Sequence, residues 1–278
     1  MKQKTWFVTG TSQGLGLELV QQLLAKGYNV AATARNIDVL KKAVNTSSSQ
    51  FLPLEMNLLD DNSIKTAVDI TIRQFGNIDY LVNNAGYGLI GGIEESSREE
   101  VQASFDVNVF GLLGVTRAVL PHMRTAGSGH IFNISSVFGL IAGAGWGIYC
   151  ASKFAVEGLS EALAQEVKPF GIKVTIIEPG YFRTNFLKGG SFALPKQQND
   201  FYPEVTETKR KHTEDISGTQ QGDPVKGAAV IISTGERADA PLRLLLGSDA
   251  LQYANYKLDL LRADFDANKD ITLSTDYQ

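Results

Sequence analysis

The chain has 278 residues, 43% hydrophobic and 20% charged, which gives enough apolar surface for a substantial core and lies outside the low-hydrophobicity, high-charge range of disordered chains. Its net charge of -4 is spread along the whole length, so no basic face for nucleic acid or anionic lipid stands out. No run of about 18 uninterrupted apolar residues occurs, and Met1-Lys2-Gln3-Lys4 leads straight into a strand-like segment without a signal-peptide core, so a cytoplasmic protein with no membrane partner is expected.

In chain order, apolar runs at 5–9, 30–34, 51–56, 78–83, 130–135, 173–178 and 242–246 read as strands. Between them, 15–26, 37–44, 63–75, 98–123, 149–168 and 224–234 carry apolar residues at helical spacing. This alternation predicts an α/β fold, a Rossmann-type, doubly wound, parallel seven-stranded sheet with helices on both faces. No linker, composition break or internal repeat divides the chain, so a single domain over 1–278 is expected. Residues 182–222 lack clean periodicity and read as a lid over the substrate, with the charged run 207–215 as a solvated face. Asp223-Pro224 reads as a helix N-cap followed by proline at the first helical position. A strand and helix around 242–268 close the chain, the helix packing over the substrate mouth or against another subunit.

In parallel sheets of this kind ligands bind beyond the carboxyl ends of the strands, and the chemically loaded residues gather there. Thr9-Gly10-Thr11-Ser12-Gln13-Gly14-Leu15-Gly16 follows the first strand and opens the first helix. Its glycines let the backbone approach a pyrophosphate, and the free N–H groups of the helix attract that charge. The second strand ends Thr33-Ala34-Arg35-Asn36. With an arginine and no carboxylate to meet an adenosine ribose, a 2′-phosphate is attracted, which favours NADP (NADPH) and leaves NAD as the alternative.

Tyr149 and Lys153 stand one helical turn apart and Ser136 lies thirteen residues before the tyrosine. A phenol titrates near pH 10, and a cation within about 4–6 Å lowers a neighbouring acid by about 1–3 units, so Tyr149 is expected to exchange its proton near neutral pH. Cys150 is the one cysteine and reads as a small packed side chain. His122, His130 and His212 show no triad-like or metal-ligand spacing, so no metal site is expected.

Taken together, these motifs resemble those of the short-chain dehydrogenase/reductase family, in its single-domain branch. The resemblance runs from Lys4 to about Gly180 and rests on the Thr9 to Gly16 turn, Asn83-Asn84-Ala85-Gly86, Asn108, Ser136, Tyr149, Lys153 and Pro179-Gly180. It implies hydride transfer between a nicotinamide cofactor and a carbonyl or secondary alcohol. Asn108, Ser136, Tyr149 and Lys153 are then the catalytic tetrad, with Ser135 as fallback for the serine. Tyr149 is the general acid/base and Ser136 polarises the carbonyl. Lys153 binds the ribose and lowers the phenol pKa, and Asn108 holds a relay water.

Implied cofactor contacts are Gly10, Thr11, Ser12, Gln13, Gly14, Leu15, Gly16, Arg35, Asn57, Leu58, Asn84, Ala85, Gly86, Tyr149, Lys153, Pro179, Gly180 and Thr184. Asn57 departs from the aspartate that many relatives place against the adenine. Aromatic and aliphatic side chains at Phe138, Trp146, Tyr181 and along the lid favour a hydrophobic ketone, aldehyde or alcohol. The resemblance also implies a homodimer or homotetramer through the helices at 101–123 and 149–168. Two rival readings are a catalytically silent nucleotide-binding sensor or scaffold, and an epimerase or dehydratase of the extended branch. The complete tetrad speaks against the first, and the glycine spacing and short C-terminal region against the second.

Overall fold

The computed structural model describes residues 3–187 and 191–277. Residues 188–190, within the segment read as a lid, lie outside this range. The central sheet has seven parallel strands: β1 (Thr5–Val8), β2 (Asn29–Ala34), β3 (Phe51–Glu55), β4 (Tyr80–Asn83), β6 (Gly129–Ile134), β7 (Ile172–Pro179) and β9 (Arg243–Leu246). Their spatial order is β3-β2-β1-β4-β6-β7-β9. Two further strands, β5 (Gly88–Leu89) and β8 (Phe192–Ala193), pair with each other outside the sheet.

Side chains alternate across a strand, so β1 sends Trp6 and Val8 into one hydrophobic layer and Phe7 into the other. The first layer is closed by α1 (Gly14–Ala25), α2 (Ile37–Val44) and α8 (Pro224–Glu236), through residues such as Leu19, Leu40 and Ile231. The second is closed by α3 (Asp61–Phe75), α5 (Leu112–Ala126) and the end of α6 (Gly147–Val167), through Ile64, Val115, Met123 and Val167. Covering both faces explains why the strands read as near-continuous apolar runs. Asp223 caps α8 by accepting from the N–H groups of Val225 and Lys226, with Pro224 at the first position.

The helix expected over 98–123 is interrupted. A regular α4 (Arg98–Phe105) widens into a π turn at Asp106–Gly111 before α5 begins. By length and composition 98–126 is apolar enough to cross a bilayer, yet Val115, Val119 and Met123 are fully buried against the sheet. At the other edge, Arg243 of β9 pairs with Glu157 and Glu161 of α6 and, at 2.5 Å, with Glu178 of β7. Burial, with repulsion from Glu157, raises the Glu178 carboxyl to about 7 against the opposing guanidinium.

The final helices are α9 (Ser248–Ala267) and α10 (Lys269–Leu273). Ala250 and Ala254 of α9 are buried, while Leu251, Leu258 and Phe265 are exposed.

Trp6 stacks on Tyr80 at 4.1 Å and on Phe132 at 5.8 Å between ring centroids, with no solvent exposure. Trp6→Ala is expected to cost about 3–5 kcal/mol of stability, read from urea unfolding. An unchanged midpoint would remove this stack as a principal support of the first layer.

Candidate active site

The turn after β1 is held by its neighbour rather than by itself. Asn84, just past β4, donates through its side-chain amide to the carbonyl oxygens of Thr9 and Gly10, both at 2.9 Å. Thr9 Oγ1 accepts in return from the N–H groups of Asn84 and Ala85 at 3.0 Å. Gly10 has φ +68, and a Cβ there would lie 2.8 Å from Ala85 Cα. Only glycine permits both this backbone and this approach. No side chain caps the first turn of α1, which leaves the positive end of the helix facing the cavity beside Ser12, Gln13, Gly14 and Leu15.

Two residues grouped with the cofactor contacts on sequence do not line that cavity. Thr11 is fully buried and its hydroxyl donates to Thr33 O at 3.0 Å. Gly16 packs so tightly that a Cβ would fall 2.5 Å from both Asn84 Nδ2 and Gly10 O. Both hold the shape of the turn. Arg35 stands exposed at the end of β2 and lines the cavity, as do Asn57, Leu58, Ala85, Gly86, Pro179, Gly180 and Thr184. The Asn57 side-chain oxygen accepts from Leu59 N–H, and Thr184 Oγ1 accepts from Phe186 N–H. The cavity has a volume of about 940 Å³ and runs from Arg35 past Lys153 and Tyr149 to Phe192.

At its centre, α6 presents Tyr149 and Lys153 on one face. Both are buried, and the Lys153 ammonium lies 5.7 Å from the centroid of the phenol ring. Lys153 Nζ donates to Ile134 O at 2.8 Å. Ser136 lines the same cavity close to the Tyr149 phenol and caps the short turn at Val137–Gly139 by accepting from Phe138 N–H at 3.1 Å. Ser135 turns the other way: its hydroxyl is buried without a partner, on the side where a Cβ on Gly139 would meet both it and Glu157. The thirteen-residue spacing therefore selects the serine that faces the phenol.

The electrostatics differ from the sequence expectation. Burial pushes the Tyr149 phenol above its ordinary range, and the nearby Ser136 hydroxyl only partly offsets this. Burial likewise lowers the Lys153 ammonium to about 8, against the attraction of Glu157. Desolvation penalises phenolate and ammonium alike, so at this depth it outweighs the mutual attraction on which the expected acidification rested.

Asn108 sits inside the π turn and outside the cavity lining. Its side chain accepts from Tyr87 N–H at 3.0 Å and donates to Tyr87 O at 2.9 Å and to Ser152 Oγ at 3.0 Å. Here it is a buried amide that ties the π turn to the backbone at Tyr87 and to Ser152 of α6. It still stays close to the lysine, since a Cβ on Gly86 would be 3.0 Å from Asn108 Oδ1 and 3.6 Å from Lys153 Nζ.

The far wall is aromatic. Phe138 meets the rings of Tyr149 and Tyr181 edge-on at 6.5 and 6.3 Å, and Trp146 and Phe186 pack beside Tyr149. Cys150 is buried behind this wall and its thiol is raised by burial. The lid is ordered by β8 and by α7 (Pro203–Arg210), which runs on into a second π turn at Lys211–Asp215. Only part of the run read as solvated is so. Arg210 pairs with Glu207 and Asp215 outside, but Lys209 and His212 are buried.

Lys209 Nζ meets Glu95 at 2.9 Å, and the same carboxylate accepts from the N–H groups of Asn199 and Gly92 at 2.8 and 2.7 Å. Gln13 donates to Ser191 Oγ at 2.9 Å and ties the lid to the glycine turn. No sequence motif marks Glu95, Lys209 or His212. The available signal was a lysine and a histidine three residues apart, Lys209 at the end of α7 and His212 in the π turn that follows, which places them on one helical face.

With this geometry in view, comparison with known proteins is direct. The family model for short chain dehydrogenases matches residues 4–191, and the chain belongs to the short-chain dehydrogenase/reductase family. It is 36% identical over 276 residues to oxidoreductase BOA17 of Botryotinia fuckeliana, covering 98% of this chain and 99% of that one. It is also 36% identical over 249 residues to a 3-ketodihydrosphingosine reductase of Bacteroides thetaiotaomicron, covering 89% of each. A crystal structure of a short-chain dehydrogenase from Streptomyces avermitilis superposes with a TM-score of 0.91 at 36% identity over 100% of both chains. The protein is thus an NAD(P)-dependent dehydrogenase/reductase. Its residues suit such a dinucleotide, with an uncapped helix end and a close-packed glycine turn at one end of the cavity and a buried lysine donor at the other.

Glu95 gives the lid a sign-defined pH response. Burial raises its carboxyl, but hydrogen bonds from Asn199 N–H, Lys209 and Gly92 N–H outweigh this and leave it below the ordinary range. A depressed carboxylate contributes stability above its unfolded value of about 4.3 and loses it as pH falls through the folded value. Measured against the intrinsic rate at each pH, hydrogen exchange across residues 199–215 is expected to be slow at neutral pH and relatively fast below about pH 4. Glu95→Gln should bring the fast exchange to neutral pH, because a buried Lys209 left unpaired costs about 3–5 kcal/mol. Slow exchange in that variant would show that the pair does not hold the lid.

Proposed function

We propose that the protein is an NADP(H)-dependent carbonyl reductase, or alcohol dehydrogenase in reverse, acting on hydrophobic ketones or aldehydes. The observation that carries this reading is the buried Tyr149–Lys153 pair on one face of α6, with the ammonium 5.7 Å from the centroid of the phenol ring and Ser136 lining the same cavity. When bound, the reduced dinucleotide supplies the hydride. The uncapped start of α1 would hold the pyrophosphate, and Lys153, whose Nζ donates to Ile134 O, would hold the ribose hydroxyls.

Ser136 and Tyr149 both donate to the substrate oxygen, and their hold strengthens as negative charge gathers there. Tyr149 Oη then releases its proton to that oxygen. A phenol held above its usual range keeps the proton until an alkoxide, a far stronger base, demands it, which suits a general acid. The phenolate left behind is stabilised by the Lys153 ammonium and by Ser136. Lys153, lowered to about 8, exchanges protons near neutral pH and so restores the phenol. Asn108 positions Tyr149, because its amide holds Ser152, whose hydroxyl donates to Tyr149 O at 2.7 Å.

Arg35, exposed at the cavity rim, supports NADP over NAD. The aromatic wall supports a hydrophobic substrate, and a relative named as a ketone reductase supports carbonyl reduction. The same reading places a second copy of the chain against α5 and α6, near the exposed Phe110 and Phe154.

Tyr149→Phe is expected to lower the reduction of a hydrophobic ketone by about 10²–10⁴-fold, followed as loss of reduced-cofactor absorbance, while fluorescence titration still detects dinucleotide binding. Near-normal turnover in this variant would overturn the assigned acid. Arg35→Ala should weaken NADPH and leave NADH affinity nearly unchanged. Tighter binding of NADH by the wild type would reverse the cofactor assignment.

A further inference from the structure

Tyr181 and His212 form a polar pair set into the aromatic wall, and the proton between them has a fixed owner. His212 Nδ1 lies 2.7 Å from Thr208 O. A carbonyl oxygen can only accept, so Nδ1 carries the ring proton. The ring is buried, edge-on to Trp146 at 4.9 Å, and its pKa is lowered by burial, which keeps it neutral. Nε2 is then an acceptor, and the Tyr181 hydroxyl 2.9 Å away must be the donor. Tyr181 lines the cavity and shares the Phe138 ring with Tyr149. Its one proton is spent on His212, so what it can offer to a ligand is a lone pair.

We infer that Tyr181 is a specificity-determining acceptor, oriented by His212, and that the preferred substrate carries a hydroxyl or N–H donor near the carbonyl that is reduced. This rests on the carbonyl-reductase reading above and narrows it to hydroxy- or aminocarbonyl compounds with an apolar remainder. A hydrogen-bonding site of this kind discriminates because an analogue lacking the donor leaves it unmatched. His212 is a positioning residue: removing its acceptor frees the Tyr181 proton, so that the hydroxyl can donate to a ligand as well as accept from one. The lid therefore contributes to substrate choice through a ring that does not line the cavity.

The test uses a medium-chain methyl ketone, its α-, β- and γ-hydroxylated counterparts and the matching methyl ethers, each with the reduced cofactor. At least one hydroxyketone should exceed the plain ketone in kcat/KM by roughly three- to tenfold, the worth of one neutral hydrogen bond, with the gain lying in KM. Tyr181→Phe should bring that ratio close to one. His212→Leu should raise the methyl ether towards the hydroxyketone and so erase the preference, a selective gain by the ether that a merely structural role would not produce.

Nitrogen NMR of His212 gives a readout independent of turnover, with Nδ1 protonated and Nε2 unprotonated. A proton on Nε2 would overturn the inference, as would hydroxyketones that gain nothing over the plain ketone while both are reduced. If no carbonyl compound is reduced with either cofactor, the reductase reading falls and this inference falls with it.

Discussion

Where β1 and β4 end side by side, Asn84 reaches across to the carbonyls of Thr9 and Gly10, and the two chains approach so closely that Gly10 has no room for a side chain beside Ala85. That contact fixes the direction in which α1 leaves the sheet. The same strand pair is where the strand order reverses, with β2 and β3 on one side and β6, β7 and β9 on the other. A crevice opens at such a reversal because successive crossovers depart to opposite faces. The glycine turn, the Tyr149 cluster and the cavity between them all depend on it.

Burial is the second governing constraint, because it sets the chemistry of the groups the crevice collects. Tyr149 and Lys153 are both taken out of water, and each is driven towards its neutral form. An active site with one acid held back and one base within reach of neutral pH can store a proton and replace it without a large net charge in the cavity. Structural pairs in the same fold show the contrast. Glu95 is just as enclosed, yet three donors keep it ionised, so it serves as an anchor and not as a proton donor.

Much of the architecture was legible because it is written locally. Strand residues such as Val30 to Ala34 and the Asp223-Pro224 helix start depend on period and on capping chemistry that operate over a few neighbours. Ser136 and Tyr149 lie near the two ends of the connection between β6 and α6, so their spacing along the chain is likewise a local feature. Thr11 and Gly16 were harder. Both belong to the motif, but they sit among positions that touch the cavity, and only the packing of Thr33 and Asn84 separates them.

By itself, the sequence determined the order of strands and helices, the glycine turn, and the residues that could move a proton, since all of these depend on side-chain type and separation along the chain. Tertiary structure alone decided which groups lose water. It placed Lys209 and His212 inside from a run whose charges suggest solvent, turned Ser135 away from Ser136, and raised the Tyr149 phenol where a neighbouring ammonium was expected to lower it. The reason is that desolvation depends on everything packed around a group. Residues far apart in the chain supply that packing, and spacing carries no information about them.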